Sequence, residues 1–150
     1  MISTEQIKKL RDRTGVSIAE CQKALEQSSG DIEAALKILG EHAAVVVSKK
    51  ADRALGAGSV AAYVHNNKQV GAMVLLSCET DFVAKNEEFA VLVYDIAMHI
   101  AAMRPQNKEE LMTQAFIKDP SKTIADLVSA ATQKFGERTE ITDFSCFSVR

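Results

Sequence analysis

Three cysteines and three histidines are the residues of this 150-residue chain that invite a catalytic reading. Cys78 or Cys146 paired with His65 or His99 would supply a thiolate nucleophile and its base. The surrounding sequence argues against it. No glycine-rich turn presents either thiol, and no acid stands at a spacing that would orient a histidine base. Cys78 lies in an alternating apolar run, where cysteine acts as a small core residue. His99 flanks an apolar helical stripe and reads as a half-buried structural histidine, and His65 reads as a solvated turn residue. Cys21, Cys78 and Cys146 are odd in number with no close pair, which excludes a disulfide framework and argues against structural zinc. Paired-histidine metal motifs and phosphate-cradling loops are absent from the sequence. Neither an enzyme nor a metal or cofactor is expected.

A different chemistry is offered by Cys78-Glu79-Thr80-Asp81-Phe82-Val83-Ala84-Lys85-Asn86. The run falls between an alternating strand pattern and a helical one, so its side chains crown a strand-to-helix turn. Thr80 and Asp81 are both suited to N-cap the helix. Phe82 either staples that helix to the sheet or protrudes as an apolar tip for a partner. On residue types alone, the structural reading of both is favoured.

The elements that position this run follow from periodicity. The first helix carries Ile7 and Leu10 on one side and stops at Thr14-Gly15. The second opens with Ser17 and has Glu20 three residues on, the spacing of a capping box. Ile18, Cys21, Ala24 and Leu25 then recur at helical intervals, until Ser28-Ser29-Gly30 breaks the helix. Asp31 caps a third helix, with Gly40 just past its end. Residues 41–55 read as a connecting helix, and Gly56-Ala57-Gly58 marks a boundary. Val60, Ala62 and Val64, a turn at His65-Asn66-Asn67-Lys68, then Val70, Ala72, Val74 and Leu76 form a hairpin pattern. A long helix is expected over 82–103, with Phe89, Val93, Ile96, Ile100 and Met103 tracing one stripe before Pro105. Shorter helices are expected near 108–117 and 123–136, and Thr139 to Val149 reads as a third strand. The fold class is therefore α+β. Its expected segments are a three-helix head at 1–40, a linker helix at 41–57, and a core at 58–150 with a three-stranded antiparallel sheet covered by helices on one face.

Composition supports a globular chain. Apolar residues make up 47% and charged residues 25%, which excludes disorder. A net charge of −2 argues against a nucleic-acid binder, since phosphate affinity needs clustered Lys and Arg. No apolar run approaches the roughly 20 residues of a membrane helix. The first residues, Met1-Ile2-Ser3-Thr4-Glu5, have the character of neither a secretory signal nor an Arg-rich transit peptide, so the cytoplasm is the expected address.

Two runs carry a resemblance. Thr80-Asp81-Phe82-Val83-Ala84-Lys85-Asn86, preceded by Cys78-Glu79, resembles the signature of the elongation factor Ts family. The stretch from Leu10 to Leu25, followed by Gly30-Asp31-Ile32, is similar to that family's N-terminal signature. Lys50-Ala51-Asp52-Arg53 with Gly58, and Phe135-Gly136-Glu137 before the last strand, match in the same order along the chain. The resemblance implies a ubiquitin-associated (UBA-like) head and exchange of guanine nucleotide on elongation factor Tu. It places Asp81 and Phe82 as the pair that intrudes beside the partner's metal and phosphates, with Thr80, Val83 and Asn86 as supporting motif residues. It places Arg11, Ile18, Ala19 and Gln22 as head contacts with the GTPase domain. Ser17, Ala19 and Gln22 depart from the family's usual glycine, larger apolar residue and lysine, and Ala57 stands where glutamate is common. Long members carry a second core subdomain and short ones compensate by dimerising, so the resemblance implies a homodimer. The competing expectation is a polypeptide-binding module that uses the head without exchange activity.

Overall fold

The computed structural model describes residues 1–150, which form two compact units. The first holds Met1–Asp52 together with Ser129–Gly136; the second holds Arg53–Val128 and Glu137–Arg150. No helix is long and apolar enough to cross a membrane.

In the first unit, α1 (Thr4–Thr14), α2 (Ile18–Gln27) and α3 (Ile32–Lys50) enclose a small core of Leu10, Cys21, Ala24, Leu25, Ala35 and Leu39. Each helix begins where a side chain satisfies the free N–H groups of its first turn. Ser3 and Gln6 form a reciprocal capping box on α1. Ser17 accepts from the Glu20 amide on α2, and Asp31 accepts from Glu33 and Ala34 on α3. Gly15 closes α1 in the left-handed conformation that glycine adopts without a steric cost. The third helix does not stop at Gly40; it continues without a break into the expected linker helix but ends at Lys50, short of residue 57, which already belongs to the first strand. A glycine inside a helix costs only about 1 kcal/mol, and the helix formers after it outweigh that.

The second unit is built on the antiparallel sheet β1–β2–β5, from β1 (Ala57–Val64), β2 (Val70–Cys78) and β5 (Glu140–Ser148). Between β2 and β5 in the chain lie α4 (Asp81–Ala84), α5 (Glu87–Met103), α6 (Lys108–Thr113), a two-stranded ladder of β3 (Ala115–Phe116) and β4 (Asp119–Thr123), and α7 (Ile124–Phe135), whose residues from Ser129 onward belong to the first unit. Helix α5 packs on β1 and β2. It buries Phe89, Val93, Ile96, Ala97, His99, Ile100 and Ala101, while Ala72, Val74 and Leu76 of β2 are buried in alternation. Met103, expected at the end of the stripe, is exposed. Ile141 pairs with Leu76 and Asp143 with Leu75, so Thr142 is the extra residue of a bulge, and its hydroxyl meets that of Ser77 at 2.6 Å. The opposite face of the sheet carries Val60, Ala62, Val64, Met73 and Phe147, all exposed.

Two expectations in this region are corrected. The helix expected over 82–103 is two helices, because the Asn86 side chain accepts from the Glu88 amide and starts α5 afresh. The helix expected near 108–117 ends at Thr113, and the chain turns into β3.

Candidate functional site

The strand-to-helix corner begins where β2 runs out of partners. Ala57 pairs with Cys78 and Glu140 with Ser77, so the backbone of Glu79 and Thr80 lies beyond both ladders. Thr80 is in extended conformation and its hydroxyl accepts from the Val83 amide, which makes Thr80, rather than Asp81, the N-cap of α4. That helix is one turn long. The Lys85 amide donates to the Asp81 carbonyl at 3.0 Å and the Asn86 amide to the Val83 carbonyl at 3.0 Å, and α5 follows at once. Val83 points inward and is buried. Phe82 points outward and is 86% exposed, so it does not staple the helix to the sheet. Asp81 beside it is also exposed, and its carboxylate makes no hydrogen bond or ion pair within the chain. An aromatic ring and a free carboxylate thus stand side by side on a turn closed by backbone hydrogen bonds from Ala84, Lys85 and Asn86.

A ring of polar contacts lies behind this corner. The Glu137 carboxylate accepts from the amides of Glu79 (3.1 Å) and Thr80 (2.9 Å) and from the Thr80 hydroxyl (2.7 Å). The Glu79 carboxylate in turn accepts from the Arg138 amide and lies 3.6 Å from Arg53. The Arg138 guanidinium donates to the Arg53 carbonyl and to Glu140, which Lys108 also holds at 2.8 Å. The Lys108 hydrogen bond, aided by Arg138, pulls the Glu140 carboxyl below its ordinary range despite burial. Residue types did not single out Glu137 for this role. Its only signal was its place in the run Phe135-Gly136-Glu137.

The residues with catalytic potential are otherwise engaged. Burial, with the Glu137 charge adding to it, pushes the Cys78 thiol up, and the thiol donates to the Thr80 carbonyl. Burial raises Cys21 and Cys146 as well. His65 is exposed and its Nδ1 lies 3.0 Å from the Tyr63 hydroxyl. His99 is fully buried rather than half-buried. Its Nδ1 accepts from the Ile117 amide at 3.3 Å, so the proton sits on Nε2, 3.0 Å from Gln114 Oε1. Burial lowers its pKa and keeps the ring neutral. No three His, Cys, Asp or Glu side chains gather into a possible metal site. In the first unit, Arg11, Ile18, Ala19 and Gln22 are all exposed, and Ile18 and Gln22 lie one turn apart on α2.

The family model for elongation factor Ts matches residues 2–110 and, in an overlapping second segment, 79–149. The chain belongs to the elongation factor Ts family. An elongation factor Ts from Herpetosiphon aurantiacus is 37% identical, with 99% of this chain and 98% of the relative aligned. One from Thermotoga neapolitana is 41% identical over 91% of this chain and 76% of its own. One from Trichlorobacter lovleyi is 43% identical over 99% of this chain, which spans only 48% of that longer relative. The Herpetosiphon alignment runs over 193 positions against 150 residues here, so that elongation factor Ts carries positions this chain lacks.

Proposed function

We propose that this chain is a guanine-nucleotide exchange factor that binds elongation factor Tu and promotes GDP release during translation elongation. Membership of the elongation factor Ts family supports the partner, and the exposure of Phe82 on a stiff turn carries the mechanism. No bond is made or broken in this role. A factor that binds the empty GTPase more tightly than the loaded one weakens nucleotide binding by the same ratio. A ten-thousandfold shift needs about 5.5 kcal/mol of differential affinity, and a buried aromatic anchor supplies about 2–4 kcal/mol. Phe82 is the wedge in this reading. Asp81, with no partner of its own, disturbs the hydrogen bonding around the partner's metal and phosphates. Arg11, Ile18, Ala19 and Gln22 form the head contact with the GTPase domain.

Release of labelled GDP from elongation factor Tu tests the proposal. The parent accelerates release, and Phe82→Ala slows the accelerated rate by at least about thirtyfold, the equivalent of 2 kcal/mol. Equal rates for parent and variant would sink the wedge assignment. Asp81→Asn in the same assay separates charge from shape, and parental behaviour would remove any electrostatic role for the carboxylate.

The functional unit in this reading is a homodimer. The open sheet face with Val60, Val64, Met73 and Phe147 is the surface that a second copy would cover. Sedimentation of the parent and of Phe147→Asp checks this, with a monomeric parent as the contrary result.

A further inference from the structure

We propose that Glu137 is a positioning residue for exchange, whose carboxylate clamps the Glu79–Thr80 backbone and so fixes the direction in which the Asp81–Phe82 turn is presented. The inference rests on the reading of Phe82 as the intruding side chain.

The ring of Phe82 does not orient the corner itself. Phe82 is 86% exposed and finds almost no packing within its own chain, so its direction is set by the backbone of a single helical turn. That turn is held on its inner side by Val83 and at its start by Thr80. Both ladders of β2 have ended by Cys78, which leaves the Glu79 and Thr80 amides without strand partners. One carboxylate replaces the missing strand. Glu137 Oε1 takes both amides and Oε2 takes the Thr80 hydroxyl, across 57 and 58 residues of sequence. An ionised carboxylate only accepts, so it commits the Thr80 hydroxyl proton to itself. That leaves an oxygen lone pair on Thr80 facing the Val83 amide. Glu137 thus acts through Thr80 on the cap of the helix that carries Phe82, by bonds stronger than those between neutral groups. The contact is reciprocal, because Glu79 accepts from the Arg138 amide next to Glu137. A wedge whose base can rock loses more freedom when it enters a partner, and the clasp removes that freedom in advance.

Three variants and two readouts test the role. In Glu137→Ala, exchange of the Thr80 amide with solvent speeds up by about tenfold or more, since its acceptor is gone. The maximal GDP-release rate at saturating factor falls by about tenfold, while the amides of Val74 and Leu76 keep their protection. Glu137→Gln keeps an oxygen for both amides but loses the acceptor of the Thr80 hydroxyl and the charge, so it restores protection of the Thr80 amide and part of the release rate. Glu137→Asp keeps the charge but is one methylene short, gives an intermediate rate, and serves if the alanine variant does not fold. A folded Glu137→Ala or Glu137→Asp at the parental maximal rate, with Phe82→Ala slow in the same assay, overturns the positioning role and leaves the exchange reading intact. A glutamine variant that protects the Thr80 amide as the parent does, yet releases GDP as slowly as the alanine variant, also overturns it, because holding the two amides would then not set the rate. A parent that does not stimulate release overturns the inference together with the exchange reading.

Discussion

The two compact units of this molecule are specified in different ways. In the first, three helices surround six buried side chains, none of them aromatic. Each helix is started by a residue within three positions of the amides it satisfies. In the second, Phe89, Leu76, Ile96, Ile100, Leu111, Ile124 and Ile141 fill a larger core, and β2 is paired to a strand more than sixty residues later. The first unit is therefore written in short-range signals with a small hydrophobic reserve. The second has the larger reserve, and the polar groups behind its strand-to-helix corner find partners far along the chain. The corner that carries Asp81 and Phe82 belongs to the second kind: a local cap on Thr80 is completed by Glu137.

The largest test of this contrast is truncation of the aromatic centre of the second core. Phe89→Ala removes a fully buried ring from α5 and is expected to cost about 3–5 kcal/mol in denaturant unfolding. A cost below 1 kcal/mol would show that the sheet, rather than the helix face, holds the unit.

The next test is pH. His99 is buried neutral with its pKa lowered, so the unfolded chain binds the proton more readily than the folded one. Its contribution is complete above the ordinary histidine pKa near 6.5 and is lost as pH falls from there through the lowered folded value. Thermal stability should drop between pH 7 and 5, with a slope of at most about 1.4 kcal/mol per pH unit from this group. His99→Gln, which cannot take up the proton, should flatten that slope. An unchanged slope would assign the pH dependence elsewhere.

The smallest effect is expected in the first unit. Ser17→Ala removes the cap of α2 and should cost about 1 kcal/mol. Because that unit has so few buried side chains, even this change should be visible as a lowered midpoint. No shift would mean that tertiary contacts, and not caps, set the start of α2.

Most of the architecture was legible because its signals are local. Ser17 and Asp31 start helices, Gly15 ends one, and His65-Asn66-Asn67-Lys68 turns a hairpin, with Lys68 at φ 59°. Alternation along Val60–Leu76 named strands whose two faces are now distinguished by burial. The failures are equally specific. Gly40 has the look of a stop, but one glycine does not end a helix whose later residues favour it. Asn86 is a cap residue followed by Glu87 and Glu88, a local signal that the long apolar stripe from Phe89 onward masks. The β3–β4 ladder escaped because two-residue pairing leaves no periodicity, and Pro120 argues against a strand.

The candidate site divides along the same line. Local patterning is enough to put an acidic–aromatic pair at a strand-to-helix turn with a capping residue beside it, since caps and periodicities are decided by neighbours a few residues away. Long-range packing sets the rest: Phe82 faces outward while Val83 faces in, His99 is sealed against Gln114 and Ile117, and Glu137 completes the corner. Those outcomes depend on which surfaces meet once distant segments pack, and no short stretch of sequence contains both sides of such a meeting.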